Sequence, residues 1–153
     1  MSQKITPCLW FDDRITEAAD YYARVFKGKV TGRSHYPDGR MLTANVDILG
    51  TTFTLLNGGP DFKFSEAISF YIDCKDQAEI DYYWTTLTAE GGAESMCGWV
   101  KDRYGVSWQI APMAAIERTL NGPDAAGRQR AMTAMMQMKK LVIAELETAY
   151  AGK

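Results

Sequence analysis

Few side chains in this 153-residue chain have types and spacing that suit chemistry. Three cysteines, Cys8, Cys74 and Cys97, stand far apart with no Cys-x-x-Cys pair. Thiolate metal sites draw on paired cysteines with histidine partners, and the one histidine is His35, so no zinc site is expected. An odd set of unpaired thiols fits the reducing cytoplasm. Cys97 is the candidate nucleophile. Lys101 lies four residues along the same strand, about 13 Å away at strand rise, too far to lower the thiol pKa. No histidine is placed by motif as its base, and the competing reading is a buried, inert thiol. Asp12 and Asp73 look like a carboxylate pair, but they end equivalent strands and read as helix caps. His35, ahead of the Pro37-Asp38-Gly39 turn, reads as a surface residue.

The elements that must position these residues occur twice. Sliding the sequence 61 positions against itself lays Leu9-Trp10-Phe11-Asp12 on Phe70-Tyr71-Ile72-Asp73, and Asp20-Tyr21-Tyr22 on Asp81-Tyr82-Tyr83. A second echo lays Gly50-Thr51-Thr52-Phe53-Thr54-Leu55 on Gly105-Val106-Ser107-Trp108-Gln109-Ile110. The period is too long for a solenoid unit. It fits a duplicated strand–helix–strands module, with both copies in one sheet and the functional site between them.

In the first copy, residues 5–11, 29–35, 41–48 and 52–56 read as strands. Residues 15–26 read as a helix with Ile15, Ala18, Ala19, Tyr22, Val25 and Phe26 inward and Gly28 as its stop. In the second copy, residues 67–73, 97–101 and 107–111 read as strands. Residues 76–87 read as a helix opened by Asp76-x-x-Glu79. Past Pro112, residues 113–120, 124–138 and 143–150 follow helical spacing. The expectation is a single domain, 1–153, holding modules 5–56 and 66–112 and a helical extension 113–153. Met132, Met135, Met136 and Met138 either pack these helices or form an adaptable dimer or ligand surface.

A formal charge of -2 argues against nucleic acid as the main partner. No apolar run approaches the roughly 20 residues of a membrane span. Met1-Ser2-Gln3-Lys4 runs straight into a strand with no signal-peptide core, so the expected setting is cytoplasmic, with no membrane partner.

Several motifs carry a resemblance. They are Ile5-Thr6-Pro7-Cys8-Leu9-Trp10-Phe11, Leu56-Asn57-Gly58-Gly59-Pro60-x-Phe62-x-Phe64 and Ala67-Ile68-Ser69-Phe70, followed by Cys97-Gly98-Trp99-x-Lys101-Asp102-x-Tyr104-Gly105-x-Ser107-Trp108-Gln109-Ile110 and Met136-x-Met138-Lys139-Lys140. Together they resemble the PhnB-like branch of the vicinal oxygen chelate superfamily, a branch often labelled 3-demethylubiquinone-9 3-methyltransferase. The resemblance spans nearly the whole chain. It implies an α+β fold of the glyoxalase/bleomycin-resistance kind: two tandem βαβββ modules in a curled mixed sheet around a cavity, plus C-terminal helices. In many members it implies a homodimer. Leu141-Val142 departs from the branch, where a short polar residue is usual, and should weaken the cap of the last helix.

Metal-bearing members of the superfamily take four His or Glu ligands from positions that map to Thr6, Thr54, Ala67 and Gln109. These residues supply neither imidazole nor carboxylate, so neither metal nor cofactor is expected. The methyltransferase label implies a donor held at a glycine-rich loop after a first strand. Here that strand ends Phe11-Asp12-Asp13-Arg14, and Gly58-Gly59-Pro60 leads to Phe62 and Phe64 rather than to a helix N-terminus.

Strand alternation assigns the cavity face. Thr6, Cys8 and Trp10 share it with Ala67, Ser69 and Tyr71, with Thr54 and Leu56, with Cys97, Trp99 and Lys101, and with Ser107, Gln109 and Ala111. A one-residue slip would exchange the faces. The expected ligand set is Thr6, Cys8, Trp10, Thr54, Leu56, Ser69, Tyr71, Trp99, Lys101 and Gln109, with Trp10, Trp99 and Gln109 lining one pocket. Such a lining suits a small, partly aromatic or apolar molecule. The leading expectation is a homodimeric small-molecule-binding protein. The alternatives are an enzyme of the superfamily (a metal-dependent lyase or dioxygenase, or a methyl-transfer protein) and an assembly role through the Met-rich helices.

Overall fold

The computed structural model describes residues 2–153, which divide into two compact units at residues 64 and 65. The first holds β1 (Cys8–Phe11), α1 (Ile15–Val25), β2 (Val30–His35), β3 (Met41–Ile48) and β4 (Thr51–Asn57), in the sheet order β1-β4-β3-β2. β1 runs parallel to β4, and the other pairs are antiparallel. Alternation buries one face: Leu9, Phe11, Ala44, Val46, Ile48, Phe53 and Leu55 are sequestered with Ile15, Ala18, Ala19, Tyr22 and Val25 of α1. Buried Asn57 ties three elements together. Its amide donates to the Met41 carbonyl (3.2 Å) and to Asp13 Oδ1 (3.2 Å), and its oxygen accepts from the Asp13 N–H (3.0 Å).

The stop of α1 works differently from the expected glycine signal. Lys27, at φ 52°, takes the left-handed position. Gly28 serves close approach instead, because a Cβ there would collide with the Asp47 carbonyl. Asp12 is not the N-cap of α1: that position is Arg14, whose side chain makes no cap hydrogen bond.

The second unit holds β5 (Ser69–Asp73), α2 (Gln77–Thr88), the two-residue β6 (Ala93–Glu94), β7 (Trp99–Lys101) and β8 (Ser107–Ala111), in the order β5-β8-β7-β6. The strands thus bond as two four-stranded sheets, one per unit, rather than as one shared sheet. Asp76 caps α2 through the Glu79 N–H (2.9 Å), as its spacing predicts. Asp73 does cap a helix, but a different one: it accepts from the N–H of Met113 (3.1 Å), the first residue of α3 (Met113–Thr119).

The hairpin between β7 and β8 is organised by a carboxylate. Asp102, 2% exposed, accepts from the N–H of Tyr104 (2.9 Å) and Val106 (3.1 Å) and from the indole of buried Trp108 (2.9 Å). Gly105 closes the turn at φ 89°.

The helical extension continues with α4 (Ala125–Met135) and α5 (Ile143–Ala151) and belongs to this unit. Met138, Leu141 and Leu146 form a buried cluster, with Ile116, Leu120, Ala134 and Met135 packed against it. Met132 and Met136 stay exposed, so the methionines divide between packing and surface. The weak cap at Leu141-Val142 is compensated from another helix. Gln77 of α2 accepts from the Ile143 N–H (2.9 Å) and donates to the Leu141 carbonyl (3.1 Å).

Candidate functional site

Six residues of the second sheet form two rows on the face opposite its buried core. β-ladder pairing sets Ser69 beside Ser107 and Ser107 beside Lys101; one row along, it sets Tyr71 beside Gln109 and Gln109 beside Trp99. Phe70, Ile72, Val100, Trp108 and Ile110 point the other way, into the buried face. The expected alternation therefore holds here, without the slip that would have exchanged the faces.

Gln109 donates from Nε2 to Ser69 Oγ (2.8 Å), which fixes the amide and leaves its carbonyl oxygen for another donor. Lys101 meets Glu66 in an ion pair that holds the Glu66 carboxyl below the usual carboxylate range. Ser107 is 1% exposed, and its hydroxyl has no hydrogen-bond partner. A cavity of about 220 Å³ opens beside it, walled by Trp99, Lys101, Glu66, Glu94 and Ser95. Glu94 is engaged by the Trp84 indole (3.1 Å), which lowers its pKa, and by Lys139 (3.4 Å).

The first sheet repeats the two rows. Cys8 pairs with Thr54 and Thr54 with Asn45; Trp10 pairs with Leu56 and Leu56 with Thr43. By this register the counterpart of Gln109 is Leu56, not Thr54, two residues from the sequence alignment and on the same face. Thr54 Oγ1 donates to Asn45 Oδ1 (2.8 Å). Trp10 donates its indole N–H to the Gly59 carbonyl (2.8 Å) and packs edge-on against Phe62. That donor is spent within the protein. Thr6 and Ala67 are exposed and precede β1 and β5. The pairing unites Trp99 with Gln109, while Trp10 sits among first-unit partners.

Cys97 leaves the predicted face. Cys97 (φ 56°) and Gly98 (φ 84°) are both left-handed, which breaks strand alternation ahead of β7. The Cys97 thiol turns toward the extension, donating to the Met135 carbonyl (3.6 Å) and lying 3.9 Å from Met136 Sδ. His35 is exposed at the end of β2.

Two other residues of the second-sheet site stand outside the expected ligand set. Glu66 lies in a loop without periodicity. Ser107 was legible as inward-facing, but nothing in the sequence shows that its hydroxyl is unpartnered. Among the described residues, no three His, Cys, Asp or Glu side chains gather as a metal-binding group. Thr6, Thr54, Ala67 and Gln109 lack the charged or imidazole donors that offset metal dehydration, so the donor set does not fit a divalent ion. Gly58 precedes a helix-free segment and would collide with the Trp10 ring if it carried a Cβ, so this loop is not a nucleotide cradle.

Two four-stranded sheets built from repeated βαβββ units define a protein of the glyoxalase/bleomycin-resistance/dioxygenase fold. Residues 3–111 match the 3-demethylubiquinone-9 3-methyltransferase family, and the chain belongs to that family. The PhnB protein of Bacillus cereus is 30% identical, over 71% of this chain and 98% of that one, with a TM-score of 0.65. The FosX fosfomycin resistance protein of Listeria monocytogenes is 14% identical over 73% of this chain and 94% of that one, with a TM-score of 0.54. A glyoxylase/bleomycin resistance protein/dioxygenase domain from Frankia is 14% identical over 72% and 90%, with a TM-score of 0.50. None of the curated proteins matches the chain. The family match ends at residue 111, so the extension and its Met136–Lys140 motif lie beyond it.

Proposed function

We propose that this protein binds a small organic molecule on the face of β5, β8 and β7 that carries Ser69, Ser107, Lys101, Tyr71, Gln109 and Trp99, as a homodimer and without a metal. The observation that carries this reading is the two-row arrangement of Ser69, Ser107 and Lys101 above Tyr71, Gln109 and Trp99. It sets two aromatic rings beside a fixed amide and a lysine, on one face of the sheet. A few placed polar groups among apolar walls are the usual make-up of a ligand pocket. Cys8, Trp10, Thr54 and Leu56 present a second, more apolar face of the same design. A dimer is supported by β1 and β5, each an end strand of its own sheet, and by Ile68 and Tyr71, which are 70% and 64% exposed. Three free thiols suit a cytoplasmic setting.

Methyl transfer, lyase and dioxygenase chemistry are not favoured, because the residues present fit neither a methyl-donor cradle nor a metal. Native mass spectrometry of the protein as purified tests the reading. The expected result is a two-chain species carrying a sub-kilodalton organic adduct. A bare monomer that takes up no compound from a small-molecule library overturns it.

A further inference from the structure

The most unusual polar group in the second unit is the hydroxyl of Ser107. It is buried, on a strand paired on both sides, and has no partner. Buried hydroxyls are normally bonded, and one that lines a cavity is poised for a guest. Directly across the ladder is Lys101, on the same face and lining the same cavity. Its ammonium meets Glu66, a loop carboxylate whose side chain is 59% exposed. Exposed ion pairs of this kind contribute little and are readily exchanged. Glu94, the other cavity carboxylate, is engaged by Trp84 and Lys139.

Taking this face as the ligand face, we propose that the cavity selects small organic carboxylates with a flat apolar body, held by Lys101 and the Ser107 hydroxyl, with Glu66 displaced to solvent. Two donors side by side match the two oxygens of a carboxylate. Glu66 already shows that a carboxylate fits against Lys101. Trp99 supplies the flat wall for the body. The volume of about 220 Å³ confines that body to roughly one ring.

Glu66 therefore acts as an internal competitor, and this gives the idea its sharpest test. Benzoate and its neutral analogue benzamide are titrated calorimetrically into the 153-residue protein and four variants. Benzoate is expected to bind at least about tenfold more tightly than benzamide. Glu66→Gln is expected to tighten benzoate several-fold by removing the competitor. Lys101→Met and Ser107→Ala are expected to weaken it about tenfold each, with Lys101→Met costing benzamide less than it costs benzoate. Ser107→Ala is expected to leave the free protein at least as stable, since the lost hydroxyl had no partner. Equal affinity for the two probes, or weaker benzoate binding in Glu66→Gln, overturns the carboxylate class. If neutral aromatics bind and Gln109→Leu weakens them while benzoate does not bind, the face survives and the carboxylate falls. If no compound perturbs the Trp99 or Gln109 resonances, both fall together.

Discussion

Single residues here separate into those that hold the backbone and those left over for a ligand. The three thiols illustrate this. Cys74 is buried, and burial first, then the charges of Glu79, Asp73 and Asp76, push its pKa from 9.0 to about 12. Cys8 is exposed. A maleimide reagent at pH 8 is therefore expected to label Cys8 rapidly and Cys74 only on unfolding, with Cys97 between them. Rapid native labelling of Cys74 would contradict the packing. The same shift fixes a pH dependence. A folded-state pKa raised above the unfolded value gives stability that is complete below the unfolded value and lost as pH climbs to the folded one. Tyr83, raised by burial from 10.0 to about 12, adds to the effect. Stability should decline across pH 9 to 12. Urea midpoints should fall less steeply over that window in Cys74→Ala than in the wild type. Asp102 is the opposite kind of residue, a buried carboxylate that accepts from the N–H of Tyr104 and Val106 and from the Trp108 indole. Its replacement by alanine strands the indole of Trp108, and a loss of at least about 3 kcal/mol is expected in equilibrium unfolding.

At the level of elements, alternation and helical period carried most of the information. The strands around Leu9-Trp10-Phe11 and Phe70-Tyr71-Ile72 and the inward faces of α1 and α2 follow from patterns that a sheet and a helix impose on apolar residues. What stayed hidden depends on partners far away in sequence. Cys97 reads as a strand residue until its left-handed backbone turns it aside. Asp73 reads as the cap of the helix after its own strand, yet serves α3. The last helix reads as poorly capped, because nothing in Leu141-Val142 announces that Gln77 sits within reach. Of the candidate site, the faces were legible by alternation, while the unpartnered hydroxyl of Ser107 and the reach of Glu66 needed coordinates. The Gln77 contact is itself testable. Gln77→Ala removes the bond to the Ile143 N–H and the bond to the Leu141 carbonyl, so a loss of about 1–2 kcal/mol is expected. Hydrogen exchange should report it as faster exchange confined to α5 and its approach. Unchanged protection there would show that α5 is held by packing alone.

At the scale of the whole molecule, the extension beyond the family match is bonded into the second unit rather than appended to it. Cys97 N–H donates to the Met138 carbonyl (2.8 Å) and Gly98 N–H to the Lys139 carbonyl (2.7 Å), so residues 138–139 continue the bonding of the turn into β7. Leu141, 1% exposed, closes over Gly98, where a Cβ would lie 2.7 Å from the Ile110 carbonyl and 3.2 Å from Leu141 Cγ. Ending the chain after Pro112 would strip these bonds, free Asp73 from the Met113 N–H and leave Gly98 and the start of β7 without the cover of Leu141. Isolated loss of a surface appendage would leave stability untouched; loss of this cover should not. The expected result is a truncated protein that aggregates or unfolds at markedly lower urea, with fast exchange across β7 and β8. The same variant bears on assembly. If residues 1–112 stay soluble and dimeric by light scattering, the interface lies on the sheets and the helices are only a brace. If they are soluble but monomeric, the exposed Met132 and Met136 belong to the interface, and the end strands do not suffice to pair two chains.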